Sequence, residues 1–235
     1  MQPLPRVNVL GVGVSAVSMA QALDAIDKWI RTREPHYICV TGVHGVIESQ
    51  RDPVLRRIHN AAGLVTPDGM TRGYRHFLYG GAEGVPELLA DRLRERFPGL
   101  QVVGVYSPPF RPLTSEEDAA LCRMVDDARP DIVWVGLSTP KQERWMAAHV
   151  GRLSAPVLVG VGAAFDFHAG LKRQAPRWMQ RSGLEWLFRL LTEPRRLWRR
   201  YLLNNPLFVW YVALQMLGLR RIPLDGSPGA QPDAG

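Results

Sequence analysis

The chain has 235 residues, 46% of them hydrophobic and 22% charged, which allows one sizeable core with an appendage and excludes a disordered tail, a coiled coil and a disulfide-stapled miniprotein. The net charge of +7 is unevenly placed: residues 171–221 hold eleven basic and two acidic side chains, so that segment is +9 and the remainder −2. A near-neutral body with a basic end points to a polyanionic partner, whether membrane surface, nucleic acid or diphosphate.

In chain order, residues 7–10 read as a strand. A helix follows over 18–31, with Ser18 as N-cap and Leu23, Ile26 and Ile30 on one face. Residues 37–41 form a second strand, and Asp52-Pro53 opens a helix to 61 by capping it and placing proline at its first position. Residues 64–66 are a short strand ending at Pro67-Asp68-Gly69. A strand over 76–79 runs into Gly80-Gly81, and a helix over 85–97 closes at Pro98-Gly99. After a strand at 101–105, Thr114-Ser115-Glu116-Glu117 is a capping box. Strand 132–135, helix 141–150 and strand 157–161 complete the alternation. This order predicts an α/β fold: a mostly parallel, Rossmann-like sheet with helices on both faces. From 176 onward the strands stop, and prolines 176, 194 and 206 divide three or four short helices rich in Trp and Arg. The expected division is a nucleotide-sugar-binding core at 1–175, a basic helical appendage at 176–220 and a disordered Gly/Pro-rich tail at 221–235.

Cys39 and Cys122 have no CxxC partner and read as buried thiols in a reducing compartment. Residues 1–6 lack the charged region and apolar core of a signal peptide. The longest apolar stretch, 207–219, is shorter than the ~20 residues a membrane span needs. A cytoplasmic protein with peripheral membrane contact is expected.

Five stretches carry candidate chemistry, each with a plainer account beside it. Gly11-Val12-Gly13-Val14-Ser15-Ala16 mimics a dinucleotide fingerprint, but the second strand ends at Thr41-Gly42 without the acid a ribose needs, which favours a glycine-rich turn. Asp68 stands just past a strand end, where open α/β sheets bind ligands; turn chemistry explains a Pro-Asp-Gly equally well. Gly80-Gly81 lets backbone approach a ligand, or serves an ordinary strand–helix turn. Gly136-Leu137-Ser138-Thr139-Pro140-Lys141-Gln142-Glu143 turns Thr139, Lys141 and Gln142 to one crevice, or simply starts a helix. The small-residue loop 160–170 carries Asp166 and His168, which also suit loop amides. There is no CxxC, HExxH, Asp-x-Asp, GxSxG or Walker lysine, so neither zinc nor a carboxylate-held divalent ion is expected.

Taken together, Pro67-Asp68-Gly69, Tyr79-Gly80-Gly81, the 106–112 loop, the Pro-Lys-Gln-Glu block and the run from Gly162-Ala163-Ala164-Phe165-Asp166-Phe167 to Arg189-Leu190 resemble the WecG/TagA/CpsF family of bacterial glycosyltransferases. The similarity runs from about Val7 to Leu219. It implies inverting, metal-independent transfer from a UDP-sugar, commonly UDP-N-acetylmannosamine or a related hexose, to an undecaprenyl-diphosphate-linked sugar in cell-surface polysaccharide synthesis, with no cofactor. By the same resemblance Asp68 is the general base. It further implies that Gln142 contacts the nucleotide-sugar, that Thr41 matches a family threonine at the strand end, and that Arg189, Arg196 and Arg199 reach over the site from the appendage; with the loop candidates, the expected substrate-binding set adds His44, Gly80, Gly81, Tyr106, Lys141 and Asp166. The implied partners are the UDP-sugar, the lipid-linked acceptor and the anionic inner face of the cell membrane, with a homo-oligomer open and nucleic acid disfavoured.

Two departures stand out. Where the family has Asn two residues after the strand-end Thr, this chain has Val43 followed by His44, which takes over a polar role or sits idle. The link after Asp68 is also short: a parallel crossover needs ~10–12 residues or more, and 70–75 does not supply them. That leaves an alternative, a catalytically impaired member that only binds nucleotide-sugar or lipid.

Overall fold

The computed structural model describes residues 4–65, 73–162, 164–171, 175–176, 179, 182, 185–220 and 222–224, leaving aside the side chains of His168, Glu185, Trp186, Arg189, Arg195, Arg196, Arg199, Arg200, Tyr201 and Leu202. Strands β1 (Arg6–Val9) and β2 (Val12–Ser15) form an antiparallel hairpin. Leu10 at φ 53° and Gly11 at φ 79° make its turn. The apparent dinucleotide fingerprint is therefore a hairpin, and its second half is a strand that the glycine-rich pattern hid.

The main sheet has six strands, all parallel: β3 (His36–Cys39), β4 (Leu64–Val65), β5 (Arg75–Gly80), β6 (Gln101–Tyr106), β7 (Ile132–Gly136) and β8 (Val157–Gly160). Their spatial order is β4-β3-β8-β7-β5-β6. Alternate side chains face opposite layers, as strand geometry requires. Ile38, Leu78, Ile132 and Trp134 pack with helices α1 (Met19–Thr32) and α4 (Val85–Arg96). Tyr37, Phe77, Val133 and Val135 pack on the other face with α5 (Ser115–Ala128) and α6 (Lys141–His149). With both faces covered, the strands read as continuous apolar runs.

The capping signals were sound. Ser18 and Thr114 each make a full capping box, with Gln21 and Glu117 respectively. Asp52 accepts from the Val54 and Leu55 amides at 3.0 and 3.1 Å, opening α3 (Pro53–Ala61). Other elements escaped the pattern. Helix α2 (Val43–Arg51) starts at Gly42 with no side-chain cap. A short helix, α7 (Ala164–His168), occupies the loop after β8. After α8 (Glu185–Thr192), α9 (Pro194–Met216) runs 23 residues straight through Pro206, so the expected break there does not occur. Cys39 is buried, whereas Cys122 is only half-buried.

Helix α9 lies on a third apolar cluster. Its Leu207, Phe208, Tyr211 and Val212 cover Leu10 and Val12 of the hairpin and Val46 and Ile47 of α2. Gln215 accepts from the Leu10 amide and donates to the Asn8 carbonyl, both at 2.8 Å, fastening the helix to the hairpin turn. No helix among the described residues is long and apolar enough to cross a membrane.

Strands β4 and β5 are both parallel members of the sheet, yet they stand four strand positions apart. The two elements that flank the short link are thus not neighbours. The link itself, with Asp68, falls in residues 66–72, outside the described residues.

Candidate active site

Parallel strands deliver their following loops to one edge of the sheet, and the candidate residues converge there. Thr41, Gly42 and His44 follow β3, Gly80 ends β5 with Gly81 after it, and Tyr106 ends β6. Lys141 and Gln142 open α6 after β7, and Asp166 lies in α7 after β8. The chain leaves β5 for α4 on one face and β7 for α6 on the other, which parts the loops at that edge.

Several glycines here have packing reasons. A Cβ on Gly80, whose φ is 128°, would lie 2.6 Å from the Gly136 carbonyl. A Cβ on Gly136 would lie 2.6 Å from the Phe165 ring, which is seated on it. These small residues admit an aromatic side chain into the sheet edge, whatever else they contact.

Gln142 is buried at 2% exposure. Its Oε1 accepts from the Gly162 amide at 2.8 Å and its Nε2 donates to Glu143 Oε1 at 2.9 Å. The amide is engaged at both ends inside the protein, and it braces the loop after β8. Glu143, fully buried, also accepts from the Thr139 hydroxyl at 3.0 Å, while its Oε2 has no hydrogen-bond partner among the described residues. The thiol of Cys39 is pushed up by burial and then by the Glu143 carboxyl nearby. Lys141, by contrast, is exposed at the start of α6.

On the other side of the edge, Thr41 Oγ1 lies 2.8 Å from His59 Nε2, and His59 Nδ1 lies 3.0 Å from Ser49 Oγ. Burial pushes the His59 imidazole down to about 4, against the opposing pull of the Leu55 carbonyl. His44 is not idle: its Nδ1 lies 3.0 Å from the Nδ2 of Asn204, a buried residue of α9, and 4.0 Å from Glu48. Appendage and strand-end turn are joined at that point. Tyr106 stacks on Tyr79 at 6.1 Å, and Tyr79 on Trp145 at 4.3 Å, so its ring continues an aromatic stack.

Asp68 lies outside the described residues, and so do the side chains of Arg189, Arg196 and Arg199 and of Trp186, expected to be buried. Ser49, His59, Glu143 and Asn204 were not singled out in the sequence as site residues. Only Glu143 had a signal, its place beside Gln142. Asp118, Cys122 and His149 carry ligand-type atoms within 4.8 Å of one another, a group no motif announced. Asp118 is already engaged by His149 at 2.8 Å and Arg152 at 2.7 Å, whose bonds outweigh burial and hold its carboxyl below the usual range.

The fold and its converging strand ends define an open parallel α/β protein with a candidate ligand site at the carboxyl edge of the sheet and a helical appendage fastened beside it. The family model for the glycosyl transferase WecG/TagA/CpsF family matches residues 7–71 and 71–222, and the chain belongs to that family. The two matched pieces meet at residue 71, within the short link. Among similar curated proteins is the N-acetylglucosaminyldiphosphoundecaprenol N-acetyl-beta-D-mannosaminyltransferase of Staphylococcus aureus strain MRSA252. It is 28% identical over 137 residues, 58% of this chain and 51% of the relative. The proteins of the same name from strains NCTC 8325 and COL match equally. The chain spans about half the length of the curated relatives it matches.

Proposed function

We propose that this chain is an inverting glycosyltransferase that moves a hexose from a UDP-sugar to an undecaprenyl-diphosphate-linked sugar at the inner face of the cell membrane. The observation that carries this reading is the His44–Asn204 contact, which couples the strand-end site to a helix whose outer side is apolar. Trp198, Leu203, Val209, Trp210 and Met216 are exposed along α9, and the segment around them holds the positive charge of the chain. Such a surface suits a lipid interface, where each basic residue is worth ~1 kcal/mol.

In the proposed reaction Asp68 takes the proton of the acceptor hydroxyl, the new bond forms at the anomeric carbon, and the bond to UDP breaks on the opposite side. The departing diphosphate gains charge, which Arg189, Arg196 and Arg199 neutralise from the appendage. Lys141, exposed at the α6 N-terminus, adds to that field. Thr41, Gly80, Gly81, Tyr106 and Asp166 bound the donor pocket, and Gln142 shapes it by bracing Gly162.

The test is UDP release from a panel of UDP-sugars with a short-chain lipid-diphosphate acceptor, with and without anionic vesicles. Acceptor-dependent release with inverted product configuration is expected. Donor binding without turnover for every sugar would leave only the binding-protein alternative. Binding to oligonucleotides in place of vesicles would overturn the membrane assignment.

A further inference from the structure

We propose that His59 is a positioning residue that fixes the polarity of the Thr41 hydroxyl, so that Thr41 meets the nucleotide-sugar as a hydrogen-bond acceptor for one of its O–H or N–H groups. The ligand in this proposal rests on the glycosyltransferase reading above; the polarity rests on the hydrogen-bond geometry and on the burial of the imidazole.

The direction of each bond follows from its neighbour. Ser49 Oγ lies 2.8 Å from the Gly45 carbonyl oxygen, one turn back on α2. A carbonyl can only accept, so the serine proton goes there. Ser49 then offers only lone pairs to His59 Nδ1 at 3.0 Å, and Nδ1 must carry a proton. His59 is fully buried, and its imidazole is neutral at pH 7 with a single ring proton. With that proton on Nδ1, Nε2 is a bare lone pair, and Thr41 Oγ1 donates to it at 2.8 Å.

A threonine hydroxyl has one proton, and here it points inward. What remains on the site side is a pair of lone pairs. Thr41 is half-buried, two residues past the end of β3, beside Gly42, around which no atom would obstruct a Cβ. Groups that only accept, such as diphosphate oxygens or a carbonyl, meet repulsion there. Groups that donate are matched: a hexose hydroxyl or acetamido N–H on the sugar half, or the uracil N–H and ribose hydroxyls on the nucleoside half. Binding of UDP alone beside UDP-N-acetylmannosamine separates the two halves.

The polarity is read without ligand or substitution by 15N NMR of the histidines in the full chain, His59 being assigned by its loss in His59→Gln. The Nδ1–H tautomer at pH 7 is expected. An Nε2–H tautomer would reverse the bonds of His59 to Thr41 and Ser49, take the serine proton away from the Gly45 carbonyl, and overturn the proposal. The contact with ligand is read by two variants. His59→Asn reproduces the Nδ1 side and keeps Ser49 satisfied but does not reach Thr41, whereas His59→Gln places an oxygen where Nε2 was. His59→Asn should raise the donor KM by ~3–10-fold with kcat within ~2-fold, and His59→Gln should restore KM to within ~2-fold of the parent. A merely structural role would lower stability and activity in both variants without separating Asn from Gln, and that result would overturn the proposal. Failure of the parent chain to bind UDP or any UDP-sugar would overturn the glycosyltransferase reading and the ligand contact together, while the tautomer measurement judges the polarity independently.

Discussion

A general base at Asp68 acts only as the acceptor oxygen attacks, so Asp68→Asn should leave UDP-sugar affinity intact and lower turnover by at least ~100-fold. Near-normal turnover would remove Asp68 from the mechanism. His59 carries a different expectation, in stability. Its folded-state value is pushed from 6.5 to about 4 by burial, so below pH 6.5 the unfolded chain binds a proton that the folded chain does not. Stability therefore declines as the pH falls from 6.5 towards 4, by about 3 kcal/mol over that window, and is level above it. Denaturant midpoints should show this slope in the parent and a flatter profile in His59→Gln. The carboxylates held low by partners, Glu117 by Arg111 and Asp118 by Arg152 and His149, lose their contribution in more acid solution. Gln142 was legible because a short motif marks it. His59 was not: its partners Thr41 and Ser49 lie 18 and 10 residues away, and only the packing of α3 on α2 makes them one chain. Gln142 was found for its motif, but its burial inside that motif depends on Gly160, which has no Cβ to displace it.

Helix α9 presents two apolar sides with separate consequences. Leu207, Phe208, Tyr211 and Val212 face the hairpin and α2, while Leu203, Val209, Trp210 and Met216 face outward. Phe208→Ala should cost about 2–4 kcal/mol of stability, since it uncovers Leu10 and Ile47. Leu203→Ala with Trp210→Ala should leave the melting temperature unchanged and weaken vesicle binding by at least ~100-fold, at ~1.5–3 kcal/mol for each of the two apolar side chains inserted. A loss of stability in the double variant, with vesicle binding retained, would mean that the outward face belongs to a protein contact. A chain cut near residue 178 would lose the cover of the hairpin as well as the appendage, so its α/β part should be destabilised too. The packing also explains what the pattern concealed. A helix apolar on both sides shows little 3.6-residue contrast, and Pro206 at mid-length reads as a stop although Phe208 and Tyr211 hold the following turns in place. Helix α2 was hidden by Gly42 and Gly45 at its start, where Ser18, Asp52 and Thr114 announce α1, α3 and α5 by their side chains.

At the scale of the whole molecule, β-branched runs separated by caps made the parallel class plain, because a strand buried on both faces and a capped helix are local patterns. The order β4-β3-β8-β7-β5-β6 was not legible, since strand neighbours are chosen by packing between distant segments. The same limit applies to the link after Asp68: its brevity was visible, but not that it joins strands four positions apart, ~19 Å at ~4.8 Å per step. Charge, in contrast, is additive and needs no fold to be counted. The +9 of residues 171–221 against −2 elsewhere gives the molecule a polar asymmetry, and the outward face of α9 lies within the basic segment. Docking by such a segment has an electrostatic part, which ions screen over a Debye length of ~8 Å at physiological salt and ~3 Å at 1 M, and an apolar part, which they do not. Transfer to an acceptor embedded in anionic vesicles should therefore fall steeply as salt rises from 0.05 to 0.5 M, because docking limits encounter with the lipid-linked sugar. Transfer to a short-chain acceptor free in solution should change far less over the same range, since that substrate needs no docked enzyme. Parallel rate measurements on the two acceptors check this. Equal salt sensitivity would place the effect at the diphosphate-binding arginines of the site, and insensitivity of both would leave the basic segment without an electrostatic part in membrane binding.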